Sequence, residues 1–122
     1  MPDADGTLDA EVVAELRRLN SDSPGTSFLV QLVLLFQTNA PGRMTQIRAA
    51  IEERHDETLG HVAHTLKSNC GMLGGLRMAE YCGTLEAMGE RRDFESAAAL
   101  LSAAEEEFAK VAIAVDELVS GR

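Results

Sequence analysis

The stretch FLVQLVLLFQTNAPGRMTQIRAAI, residues 28–51, decides the fold class. Phe28, Leu29, Leu32, Val33, Phe36, Ala40, Met44, Ile47 and Ile51 recur at steps of three and four residues, the period of one face of an α-helix. The stripe keeps its phase through Pro41, which predicts one long helix kinked at the proline or two helices meeting there. Val30, Leu34 and Leu35 fall off the stripe, so this helix is expected to have neighbours on two sides and to lie centrally. Its most apolar run, Phe28 to Phe36, is nine residues and contains Gln31. A membrane span needs roughly 20.

The same period continues in both directions. Upstream, Thr7 is a plausible N-cap for a first helix carrying Leu8, Val12, Leu16 and Leu19 on one side, ending before Asn20-Ser-Asp-Ser-Pro24. Downstream, Asp56 reads as the N-cap of a third helix that runs to about Leu73. Gly74-Gly75 closes it, because glycine enters the left-handed conformation cheaply. A fourth helix would turn Leu76, Ala79, Cys82 and Leu85 inward. Asp93 would cap a last helix whose buried line is Phe94, Ala98, Leu101, Phe108, Ala112, Val115 and Val119. Short loops between such helices predict an all-α fold, an antiparallel up-and-down four-helix bundle with an additional N-terminal helix. Residues 7–120 form a single domain in this reading, and the acidic residues 1–6 a disordered N-terminus.

Composition narrows the function. Twenty Asp and Glu against eleven Lys and Arg give a net charge of −9, the wrong sign for a surface that neutralises nucleic-acid phosphates. Two cysteines, Cys70 and Cys82, make neither a disulfide framework nor a zinc quartet, and their helical phase places them inside as small apolar residues. With no signal peptide or membrane span, a cytoplasmic protein is expected.

The third helix carries the chemistry. At 100° per residue, Leu59, Ala63, Leu66, Cys70 and Leu73 fall within roughly 80° of one another and must face the core. His64 points away, surrounded by Gly60, Lys67, Ser68, Gly71 and, if the helix runs so far, Gly75. A glycine in a helix interior costs about 1 kcal/mol relative to alanine. Glycines beside an exposed histidine give no packing in return, whereas they do open the imidazole to another protein's backbone. Neutral imidazole is a nucleophile near pH 7, and the Lys67 cation one turn on suits an anionic group attached to it. His61 and His64, with His55 upstream, lack the carboxylate or thiolate that would complete a metal site. Glu86, one turn beyond Cys82, reads as an ordinary surface carboxylate, with the border of the site as its alternative place.

The run His64-Thr-Leu-Lys67-Ser-Asn-Cys-Gly71-Met-Leu73-Gly74 resembles the signature of the histidine-containing phosphotransfer (HPt) domains of two-component phosphorelays. That pattern has a phospho-accepting His, Leu two on, Lys three on, small residues after it, and Leu-Gly at nine and ten. The likeness extends from about Phe28 to Leu118 and includes Ala-Pro at 40 and 41, Cys82 with Leu85-Glu86, and Asp93. Ser68 departs from it, since the family usually has Gly immediately after the Lys.

The resemblance implies a phosphoryl shuttle. His64 would accept the group from an aspartyl phosphate on a receiver domain, or from a sensor histidine kinase's own relay, and pass it to another receiver. Lys67 would stabilise the phosphoryl group, and Gly60, His61, Ser68, Gly71 and Gly75 would form the docking face. It further implies a monomeric carrier rather than an enzyme, with no cofactor or metal of its own and with Mg2+ supplied by the partner receiver. The alternative is a helical protein–protein interaction module without phosphotransfer, for which His64 would be dispensable. A histidine-kinase dimerisation domain would need an ATP-binding domain for which the chain has no room. No second acid or base and no nucleotide motif points to an autonomous enzyme.

Overall fold

In the computed structural model, which describes residues 6–21 and 28–120, five helices follow one another. They are α1 (Ala10–Ser21), α2 (Phe28–Glu53), α3 (Asp56–Met72), α4 (Leu76–Glu90) and α5 (Phe94–Ser120). α2 packs on α3, α3 on α4, α4 on α5 and α5 back on α2, with α1 laid against α2. Two or three residues join consecutive bundle helices, which leaves only the antiparallel arrangement. This is the expected up-and-down bundle with an additional N-terminal helix. Apart from Gly6, the expected disordered N-terminus lies outside the described residues, and so does Pro24.

α2 is continuous, with Pro41 inside it. Its stripe is core as read: Leu29, Val33, Phe36, Ala40, Met44, Ile47 and Ile51 are buried, and Phe36 stacks on Phe108 of α5 with ring centroids 5.8 Å apart. Arg48 adds a two-pronged bond to Glu105 of α5, at 2.6 and 2.9 Å, and Gln37 donates to Asp116 at 3.3 Å. α2 has neighbours on more than one side, yet Leu34 and Leu35 face none of them and are exposed.

The three turns between bundle helices are built alike. In each an N–H reaches back to a carbonyl five residues earlier: His55 to Ala50 at 2.9 Å, Gly75 to Cys70 at 2.8 Å, and Asp93 to Met88 at 2.8 Å. This closure needs a left-handed residue just before the donor. Gly74 (φ 91°) meets the need freely, whereas Arg54 (φ 59°) and Arg92 (φ 57°) adopt a conformation that costs an L-residue about 1–2 kcal/mol. Buried Phe94 offsets that cost from one end of the bundle. Both guanidinium groups lie over its ring, Arg54 at 5.0 Å and Arg92 at 5.6 Å from the centroid, within cation–π range.

Several terminal details differ from the sequence reading. Asp9, not Thr7, caps α1, accepting the Val12 N–H at 3.1 Å, while Thr7 is buried. Asp56 stands in the first turn of α3, where its carboxylate pairs with Arg92 at 2.8 Å and is held by that bond below the usual carboxylate range; His55 takes the cap position. Asp93 does cap α5, accepting the Ser96 N–H at 3.2 Å. Leu19 and Leu76 are exposed, and Met78 is buried in place of Leu76. On α5, Ala98 and Val119 are exposed and Phe108 and Ala112 half-buried, while Ala97, Ala104, Val111, Ala114 and Leu118 join Phe94, Leu101 and Val115 inside. α5 lies between α2 and α4, so its buried arc is broad, and an error of one residue in phase rotates the inferred line by 100°.

Gly74 also anchors α1. Its carbonyl accepts the Asp9 N–H at 2.7 Å, and a Cβ here would stand 3.1 Å from Asp9 N and 3.3 Å from Val12 Cβ. Gly74→Ala is therefore expected to lower stability by about 1–2 kcal/mol through backbone conformation, plus the loosening of α1. Urea denaturation followed by circular dichroism measures this, and wild-type stability would show that the turn tolerates a side chain.

Candidate functional site

α3 divides its residues between core and chemistry. Leu59, Val62, Ala63, Leu66 and Cys70 are buried along one side, and Leu73 continues the line. His64 leaves the opposite side with 63% of its side chain exposed. Both neighbours, α2 and α4, pack on the apolar arc of α3, and this sets the direction in which an outward residue leaves the helix.

α4 supplies what the sequence reading placed second. Glu86 extends from α4 to His64, its carboxylate oxygens 3.2 and 3.3 Å from Nδ1, and only 26% of its side chain is exposed. A carboxylate can only accept, so in the neutral ring this contact selects the tautomer with the hydrogen on Nδ1 and the lone pair on Nε2. The lone pair on Nε2 belongs to a ring that is mostly exposed, the form in which imidazole can act as a nucleophile. Glu86 is thus a partner of the histidine, not an ordinary surface carboxylate. The signal for it was its spacing from inward Cys82, but the register of α3 on α4 decides which carboxylate meets His64.

Lys67 is exposed one turn from His64, with its Cδ and Nζ lying over Gly83 of α4, 3.9 Å from where a Cβ would stand. His61 and Ser68 are exposed, and Gly60 is half-buried with open space where a side chain would be. Gly71 is half-buried, a Cβ there reaching Ala79 at 4.0 Å, so it lies at the α4 edge of the open face. Gly75 does not belong to that face. It is buried in the α3–α4 turn, where a Cβ would meet the Cys70 carbonyl at 3.3 Å and Val111 at 3.4 Å. The helical wheel ceased to apply once the chain left the helix after Met72.

Cys70 and Cys82 are free, fully buried and side by side behind this face. The neighbouring Cys82 thiol and burial push the Cys70 thiol far above its usual range, which removes it as a nucleophile. No group of three His, Cys, Asp or Glu among the described residues is placed to hold a metal ion. Nor is any helix among them long and apolar enough to cross a membrane.

An outward imidazole with one nitrogen held by a carboxylate and a cation one turn away is suited to carry an anionic group on its free nitrogen. Comparison with known proteins agrees. The family model of the Hpt domain matches residues 31–120. The crystal structure of histidine-containing phosphotransfer protein B (HptB) from Pseudomonas aeruginosa superposes with a TM-score of 0.83 at 28% sequence identity, covering 96% of this chain and 97% of that one. No curated protein matches by sequence. The chain belongs to the Hpt domain family and is a histidine phosphotransfer protein of phosphorelays.

Proposed function

We propose that His64 accepts the phosphoryl group on Nε2 from an aspartyl phosphate of a receiver domain and passes it to a second receiver. The observation that carries this reading is the exposed imidazole whose Nδ1 is held by Glu86. Nε2 attacks phosphorus, the bond to the aspartyl oxygen breaks, and the aspartate leaves as a carboxylate. Nδ1 keeps its hydrogen throughout, so the phosphorylated ring is a cation, and the Glu86 carboxylate stabilises that charge. Onward transfer reverses these steps and returns the neutral ring.

Lys67 balances the oxygens of the transferred group from one turn away. Gly60, His61, Ser68 and Gly71 leave the approach open to a receiver. On this reading the chain has no kinase activity and no cofactor of its own, and Mg2+ comes with the receiver. A sensor histidine kinase, directly or through its own receiver, is the source of the group. A monomeric, cytoplasmic carrier completes the proposal.

His64→Gln is expected to abolish phosphoryl acceptance while shifting stability by no more than about 0.5 kcal/mol, as for other exposed positions. Acid-labile label appearing on the variant after incubation with a phosphorylated receiver domain would defeat the assignment. For Lys67→Ala, loss of one charge-assisted contact of about 1.5–3 kcal/mol predicts a rate lower by about 10- to 100-fold. Phosphoramidate, which donates to imidazole with loss of ammonia and needs no docking, measures this rate directly. Gly71→Arg places a long side chain at the docking edge, so receiver affinity in titration calorimetry should collapse. Its melting temperature should stay at or above wild type, since the helix gains up to about 1 kcal/mol on losing a glycine. A sharp drop in melting with intact affinity would instead make Gly71 a packing residue.

A further inference from the structure

α4 carries two glycines, Gly83 in its interior and Gly89 in its last turn, although glycine is the poorest helix former after proline. Packing accounts for Gly89. A Cβ there would stand 3.3 Å from the Asp56 carbonyl oxygen, the Gly60 nitrogen and Leu59 Cγ, so α4 runs close against the backbone of α3 at this point. Gly83 is different. The nearest atoms to a Cβ at this position are Lys67 Cδ and Nζ, both at 3.9 Å, an ordinary contact distance. Neither the bundle nor the backbone, which lacks a positive φ there, demands glycine.

The missing side chain leaves bare helix under the stem and ammonium of Lys67. Glu86, one turn further along α4, holds His64 Nδ1. α4 is therefore a floor with two places, Gly83 under the lysine and Glu86 under the histidine. A lysine stem has many rotamers to lose, and a surface that accepts it in one orientation lowers the entropy lost on meeting the phosphoryl group.

We propose that Gly83 is a positioning residue for phosphoryl transfer: the seat formed by its missing side chain keeps the Lys67 ammonium beside His64. A side chain longer than a methyl group occupies the seat and lifts the ammonium away. This inference rests on the roles given above to His64 and Lys67.

The test is the rate of phosphohistidine formation with phosphoramidate, which separates positioning of the lysine from receiver docking. Gly83→Ala is expected within about threefold of wild type, because its methyl group only touches the lysine, and should melt higher. Gly83→Met should be slower by about tenfold or more, approaching Lys67→Ala, with helicity retained. Gly83→Gln, as long and more polar, gives the same readout should the methionine variant fold poorly. In the double variant Lys67→Ala with Gly83→Met the losses should not multiply, since one interaction cannot be lost twice. A wild-type rate in Gly83→Met and Gly83→Gln beside a slow Lys67→Ala overturns the inference alone, as do losses that multiply. A wild-type rate in Lys67→Ala overturns the role of the lysine, and the seat with it.

Discussion

The close antiparallel packing of α3 on α4 is the constraint on which the rest depends. Gly89 lets the backbones approach at one end, and the left-handed Gly74 reverses the chain at the other. Between them Leu66, Cys70, Cys82 and Leu85 are fully buried. A pairing this tight has one register, because a slip would leave side-chain volume unmatched in a close-packed interior. That register brings Glu86 to His64 and Gly83 to Lys67. The site is thus a consequence of core packing on the far side of the same two helices.

Glycine has opposite uses within this arrangement. Gly74 and Gly89 are fixed by conformation or by a neighbour's backbone, and they stabilise the only geometry the chain can adopt there. A Cβ at Gly60 would meet no atom within 4 Å and one at Gly83 only the lysine, so packing does not require glycine at either position. Such positions weaken their helices without a packing return, the pattern that local departures from propensity at functional sites generally show. Ser68, where the family usually has glycine, is exposed and still small, and it leaves the approach to His64 open.

Away from the site, charge serves the fold. Arg54 and Arg92 close two turns in an unfavourable conformation because Phe94 and Asp56 receive their guanidinium groups. Arg48 ties α2 to α5 through Glu105. In a chain of net charge −9, these basic groups are occupied within the bundle, while the Lys67 ammonium lies over Gly83 of α4. Glu86 is the charged group in contact with His64, whereas the influence of the overall charge is weakened by screening beyond about 8–10 Å.

The helical period, the glycine pair at 74 and 75 and the outward phase of His64 were legible in the sequence, since each rests on contacts within one helix or turn. From these came the bundle, the core faces of α2 and α3, and the histidine with its lysine. The helix caps were less legible: Asp9 replaces Thr7 because Gly74 draws Asp9 onto the turn, and Asp56 is diverted to Arg92. The buried line of α5 shifted because two neighbours, not one, define its arc. Gly75 left the docking face where the helix ended, and Glu86 joined the site from 22 residues away. Positions along one helix obey its period, whereas contacts between helices depend on a register settled only when all their buried side chains pack together. The amino-acid sequence by itself determined which histidine leaves the core with a lysine one turn on; tertiary packing alone decided which carboxylate holds it and that the lysine lies over Gly83.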